Sequence, residues 1–120
     1  MRGPAIALLL SLFVIGIGFE PLGKIRFDEF AERGSQLVVY VNAINEANYN
    51  LENVRFTAFI PDLGLSYSTR QFVLDDDSKQ SKVLLIDIPY DAPVGLYLMQ
   101  ISGYNHDSFR TREYRHVLII

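Results

Sequence analysis

From Leu22 onward the dominant period of the apolar residues is two rather than 3.6, and this pattern points the chain to β structure. In Gln36–Asn45 (QLVVYVNAIN), Leu37, Val39, Val41 and Ala43 fall on one face and Val38, Tyr40 and Ile44 on the other. That predicts a strand buried on most of both sides. Val54, Phe56, Ala58 and Ile60 alternate with Arg55, Thr57 and Phe59, and Leu84, Ile86 and Ile88 with Val83 and Leu85. Further strands are expected at Lys24–Phe30, Gly95–Gly103 and Thr111–Ile120, with a weaker one at Leu65–Arg70. Turn chemistry separates them: Glu32–Ser35, the asparagine-rich Asn45–Asn53, Pro61–Gly64, Asp75–Lys79 and Pro89–Pro93. About seven short strands with regular turns predict one antiparallel β-sandwich of the immunoglobulin-like kind over residues 19–120.

The first eighteen residues, MRGPAIALLLSLFVIGIG, follow a different rule. Arg2 precedes an uncharged run from Gly3 to Phe19, and Glu20 follows at once. A basic start, an apolar stretch and small residues beyond it read as a secretory signal helix over 1–18. Gly16 and Gly18 occupy the −3 and −1 positions for a cut before Phe19. Two alternatives remain open: an uncleaved anchor that tethers the domain outside the membrane, and a prepilin-type signal cut after Gly3. The latter would leave residues 4–18 as the core helix of a filament subunit. The run only reaches the lower limit of a membrane span, about 17 residues. Each reading places the domain outside the cytoplasm, secreted or at the cell surface.

The composition fits export without disulfides. There is no cysteine, so the apolar core alone must stabilise the fold, and thiol chemistry and cysteine-ligated zinc are excluded. The net charge of −3 gives nucleic acid no electrostatic footprint. Arg110, Arg112 and Arg115 form the one basic cluster and read as a solvated strand face.

The segment Asp87–Tyr97 (DIPYDAPVGLY) carries the most specific local signal. Pro89 and Pro93 stiffen a corner, Gly95 permits a tight approach to the next strand, and Tyr97 follows at its start. A tyrosine there is expected to bury its ring and bond its hydroxyl to nearby backbone, the tyrosine corner of immunoglobulin-like sandwiches. The run LVVYVNAINEANYNLENVRFTAFI resembles the strand–Asn-rich loop–strand signature of CARDB-like domains in archaeal and bacterial surface-layer proteins. Asn45, Asn53 and Val54 occupy its marked places, and DIPYDAPVGLY is similar to its closing element. The resemblance covers nearly all of Lys24–Ile120 and implies a non-catalytic module for adhesion, spacing or surface-coat assembly. The implied partners are other cell-surface proteins, or further copies joined through loops or a sheet edge.

No catalytic constellation is present in the sequence. Of the two histidines, His106 falls in a polar loop and His116 in the last strand, where packing is expected. Glycine-rich phosphate loops, nucleophile elbows and zinc-binding helices are missing. Asp75, Asp76 and Asp77 are a weak calcium candidate, because hard cations take oxygen ligands from acidic loops. The central glycine and terminal glutamate of an EF-hand loop are not there, so no metal or other cofactor is assigned. Tyr49, Tyr90 and Tyr104 are candidates for an exposed aromatic platform in a ligand-binding module, for carbohydrate or a calcium-dependent ligand, the alternative to a structural one.

Overall fold

The computed structural model describes residues 22–105 and 110–120. The signal segment, Gly16, Gly18 and His106 lie outside the described residues. Nine strands are formed among the described residues: β1 Leu22–Phe27, β2 Phe30–Ala31, β3 Gln36–Asn45, β4 Leu51–Ile60, β5 Leu65–Ser68, β6 Phe72–Leu74, β7 Ser78–Asp87, β8 Gly95–Tyr104 and β9 Arg110–Ile119. One sheet has the order β1-β3-β7; the larger has the order β2-β9-β8-β4-β5, with β6 also on β4. Every pairing is antiparallel except the short parallel contact of β2 with β9. The two sheets enclose one core in a sandwich-like arrangement.

The core is the set of residues that alternation places inward. Leu37, Val39, Val41 and Ala43 of β3 face Val54, Phe56, Ala58 and Ile60 of β4, with Met99 and Ile101 of β8 and Val117 and Ile119 of β9. All are essentially inaccessible to solvent. Truncating a buried leucine or isoleucine in such a core to alanine costs about 2–5 kcal/mol. A chain of contacts crosses the sandwich at one level. The Phe56 ring meets Phe72 edge-on at 5.4 Å, and the Lys82 ammonium from β7 lies 4.1 Å from the Phe72 centroid. Thr69 ties the same level: its hydroxyl accepts from the Phe56 N–H (3.1 Å) and its N–H donates to the Phe56 carbonyl (2.9 Å).

Several expectations are corrected. The strand expected at Lys24–Phe30 is broken at Asp28–Glu29, where the chain leaves the smaller sheet and continues as β2 in the larger. β3 is buried on one face only: its outer face carries Tyr40, which is 42% exposed with the Arg26 guanidinium 4.7 Å from its ring centroid. β4 begins at Leu51 rather than Val54, because Asn53 adopts a left-handed conformation (φ 58°) where the pairing with β6 shifts register. β7 starts at Ser78, its polar first half held by backbone pairing with β3. The Pro61–Gly64 turn forms as expected, a 3-10 turn closed by Gly64 at φ 65° with its N–H on the Pro61 carbonyl.

Candidate functional site

Alternation that fills the core leaves every other side chain of the larger sheet facing outward. On β9 these are Arg110, Arg112, Tyr114, His116 and Leu118, and all are exposed. Cross-strand register sets Leu118 between Phe30 of β2 and Leu96 of β8, His116 opposite Leu98, and Tyr114 opposite Gln100. The outcome is a contiguous apolar area on one end of the sheet, with Leu96 66%, Phe30 58%, Tyr114 50%, and Leu98 and Leu118 each 41% exposed. Arg26, Glu29 and Arg115 stand at its margin, beside a groove of about 600 Å³ lined also by Ile25 and Phe27. Apolar area kept in water costs free energy unless a partner covers it, so such patches mark contact surfaces. His116 belongs to this exposed face and is not the packing residue its alternation suggests; the inward positions of β9 are the odd ones.

The residues of the proline corner come together at the same end. The Tyr97 hydroxyl donates to the Pro93 carbonyl at 2.7 Å, and its half-buried ring packs on the core. Gly95 has φ 155°, and a Cβ there would lie 3.7 Å from the Tyr97 ring. Ala92 N–H closes the turn onto the Pro89 carbonyl (3.2 Å). Gly34 (φ 82°) donates to the Ile88 carbonyl at 2.8 Å and lies under the Tyr90 ring. These contacts make a rigid corner that sets where β8 begins.

At the opposite end, Asn45 holds two loops. Fully buried, it donates through Nδ2 to the carbonyls of Tyr49 (2.9 Å), Leu74 (3.0 Å) and Asp75 (3.1 Å), and its Oδ1 accepts from the Ala47 N–H (2.9 Å). The Asp75–Asp77 backbone is further fixed by Asp76 N–H on Asn50 Oδ1 (2.8 Å) and by Asp77 N–H on the Ala47 carbonyl (3.1 Å). The three aspartates are exposed. No group of three or more metal-ligating side chains is arranged to hold an ion among the described residues. The tyrosines do not form one platform: Tyr49 and Tyr104 belong to this end and Tyr90 to the other, as the strand directions require. Arg110 and Arg112 share the outer face while Arg115 turns inward, so the basic residues are divided between two faces.

Sequence reasoning missed the outer apolar face. Its signal was legible in part, since Leu96, Leu98 and Leu118 occupy the parity opposite to Tyr97, Met99 and Val117. No helix among the described residues is long and apolar enough to cross a membrane. No protein-family model matches the sequence, and a search of characterised proteins found no match.

Proposed function

We propose that the chain is a non-catalytic, extracytoplasmic structural or interaction module with an immunoglobulin-like fold, working by protein contact through the outer face of its larger sheet. The observation that carries this reading is the contiguous exposed set Phe30, Leu96, Leu98, Tyr114 and Leu118 on a rigid scaffold. The immunoglobulin-like assignment is supported by the strand order and by the Tyr97 hydroxyl bond at the start of β8. Both are what a CARDB-like surface domain implies, and that kinship is part of the proposal. Leu22 pairs with Ala43 at the end of the sandwich opposite the apolar area. A module held or exported by its N-terminal segment thus presents Leu96 and Leu118 away from the attachment point.

The test is a photo-crosslinkable residue placed at Leu98 and, as a control, at the exposed Lys79 of β7, in the exported protein on intact cells. A discrete protein adduct from position 98 and none from 79 is expected; equal labelling, or labelling of neither, overturns the reading. N-terminal sequencing of the same material is expected to begin at Phe19. A start at Pro4 would indicate the filament subunit instead.

A further inference from the structure

Among the described residues, the larger sheet has an edge that is open over most of β9. β2 pairs with β9 only at Leu118 and Ile119, so no described strand pairs with the outer edge of β9 from Arg110 to Val117; the Tyr114 carbonyl on that edge accepts from the Arg115 side chain of its own strand at 2.9 Å. Leu118 N–H donates to the Glu29 carbonyl and Ile120 N–H to the Ala31 carbonyl, both at 2.9 Å. These bonds fix the parity: even-numbered residues of β9 turn their backbone groups to this edge, and odd-numbered ones bond β8. A row of unpaired N–H and C=O groups is a template for another strand.

We propose that this edge pairs with the same edge of a second copy, antiparallel about a two-fold axis at Tyr114, joining two larger sheets into one. The proposal rests on the larger sheet being the contact surface and names its occupant. Parity requires even residues opposite even ones, so the axis must pass through a residue of β9. An axis at residue 113 sets Glu113 against Glu113, and axes at 112 or 115 set arginine against arginine. An axis at 116 sets Tyr114, in the middle of the strand, opposite Leu118, where β2 already lies; an axis at 114 brings only the terminal Arg110 there, so the paired segment is confined to residues 111–117 and Arg110 must turn aside. At Tyr114, Glu113 faces Arg115 in both directions, Arg112 faces His116, and the two Tyr114 rings meet on the outer face. In the single chain Arg115 Nη1 bonds both Glu113 Oε1 (3.2 Å) and the Tyr114 carbonyl (2.9 Å), with the Glu113 and Arg115 side chains 42% and 40% exposed; pairing exchanges both bonds, the carboxylate for that of the second copy and the carbonyl's donor for a backbone N–H. Such an interface is isologous, each half supplying what the other needs. Residues 112, 114 and 116 would exchange about six backbone bonds across the axis.

The full chain, purified in mild detergent, is tested by sedimentation. Wild type is expected at twice the 13.7 kDa of one chain. Glu113→Arg and Arg115→Glu each place like charges across the axis and should weaken self-association by about tenfold or more. Mixed together, the two variants are complementary at both contacts and should pair as heterodimers of wild-type strength, which repair of the pair within one chain would not produce. Tyr114→Cys, the single thiol in the molecule, should cross-link under oxidation faster than Thr57→Cys on the same face. The proposal is overturned if wild type is monomeric, if either variant alone associates as wild type does, or if the mixture is no tighter than its components. The crosslinking at Leu98 reports separately. An adduct there with an unaffected edge removes the two-fold pairing and leaves the interaction module standing.

Discussion

Replacing Asn45 by alanine removes four hydrogen bonds from one buried point, and the cost can be worked from their surroundings. The Leu74 carbonyl is buried and loses its side-chain donor, which costs about 1–3 kcal/mol. The Tyr49 and Asp75 carbonyls and the Ala47 N–H are only partly buried, so water replaces much of what they lose. Those three bonds are worth about 0.5–1 kcal/mol each. The sum is about 2.5–6 kcal/mol, and a domain of this size loses roughly 4–8 °C in Tm per kcal/mol. Urea unfolding at unchanged m should therefore show a lower midpoint, and amide exchange should accelerate at Ala47 and Asp77, whose loops the side chain joins. Asn45→Asp separates hydrogen bonding from packing. It keeps the shape and the acceptor for Ala47, but it points a carboxylate at three carbonyl oxygens, so at neutral pH it should be less stable than Asn45→Ala. Those carbonyls raise the carboxyl pKa in the folded state, leaving the unfolded value ordinary. The folded state then holds a proton that the unfolded state has released, so stability falls as pH rises through that interval and recovers on acidification. An alanine variant within about 1 kcal/mol of wild type, or an aspartate variant the more stable of the two at pH 7, refutes the account.

Gly103→Ala should destabilise by about 1–3 kcal/mol in urea titration, because its Cβ would stand 2.7 Å from two Phe56 ring carbons and Phe72 blocks the retreat of that ring; trimming Phe56 to leucine in the same chain should recover part of the loss. Tyr97→Phe removes the bond to the Pro93 carbonyl at a solvent-accessible site, and a loss of about 0.5–1.5 kcal/mol with an unchanged fold by circular dichroism is expected. Gly64→Ala forces an L-residue to φ 65° in open space and should cost about 1 kcal/mol by thermal melting, with Gly64→Asn costing less.

Alternation made the core legible. Each of Leu37, Val39, Val41 and Ala43, and each of Val54, Phe56, Ala58 and Ile60, is buried as its parity requires. The same parity marks Asn45 and Gly103 as core-facing, and a polar residue or a glycine in such a place signals a satisfied amide or a close approach. Which sheet a strand joins is a different matter. Lys24–Ala31 alternates through a change of sheet at Asp28–Glu29, because inward and outward have the same period in both sheets. The polar beginning of β7 was hidden for the opposite reason: its place comes from backbone bonds to β3, which any side chain permits. The apolar outer face depends on which strands become neighbours, and only the register of β2, β9 and β8 brings Phe30, Leu118 and Leu96 together.

The edges of the two sheets differ in a way that bears on their use. β7 forms an edge of the smaller sheet with Lys79 and Lys82 along it; Lys82 is engaged over Phe72, and the one acid, Asp87, accepts from Gln36 Nε2 at 3.0 Å. Cations of one sign along an edge repel a second copy and discourage edge-to-edge pairing. β5 is four residues long and offers little backbone to a partner. β9 has ten residues, a side that no described strand pairs over most of its length, and charges of both signs two positions apart on one face. Spacing by two is the repeat of a strand, so an antiparallel copy turned about the residue between them meets acid with base twice. A protective edge has no need of that symmetry, whereas a self-pairing edge requires it.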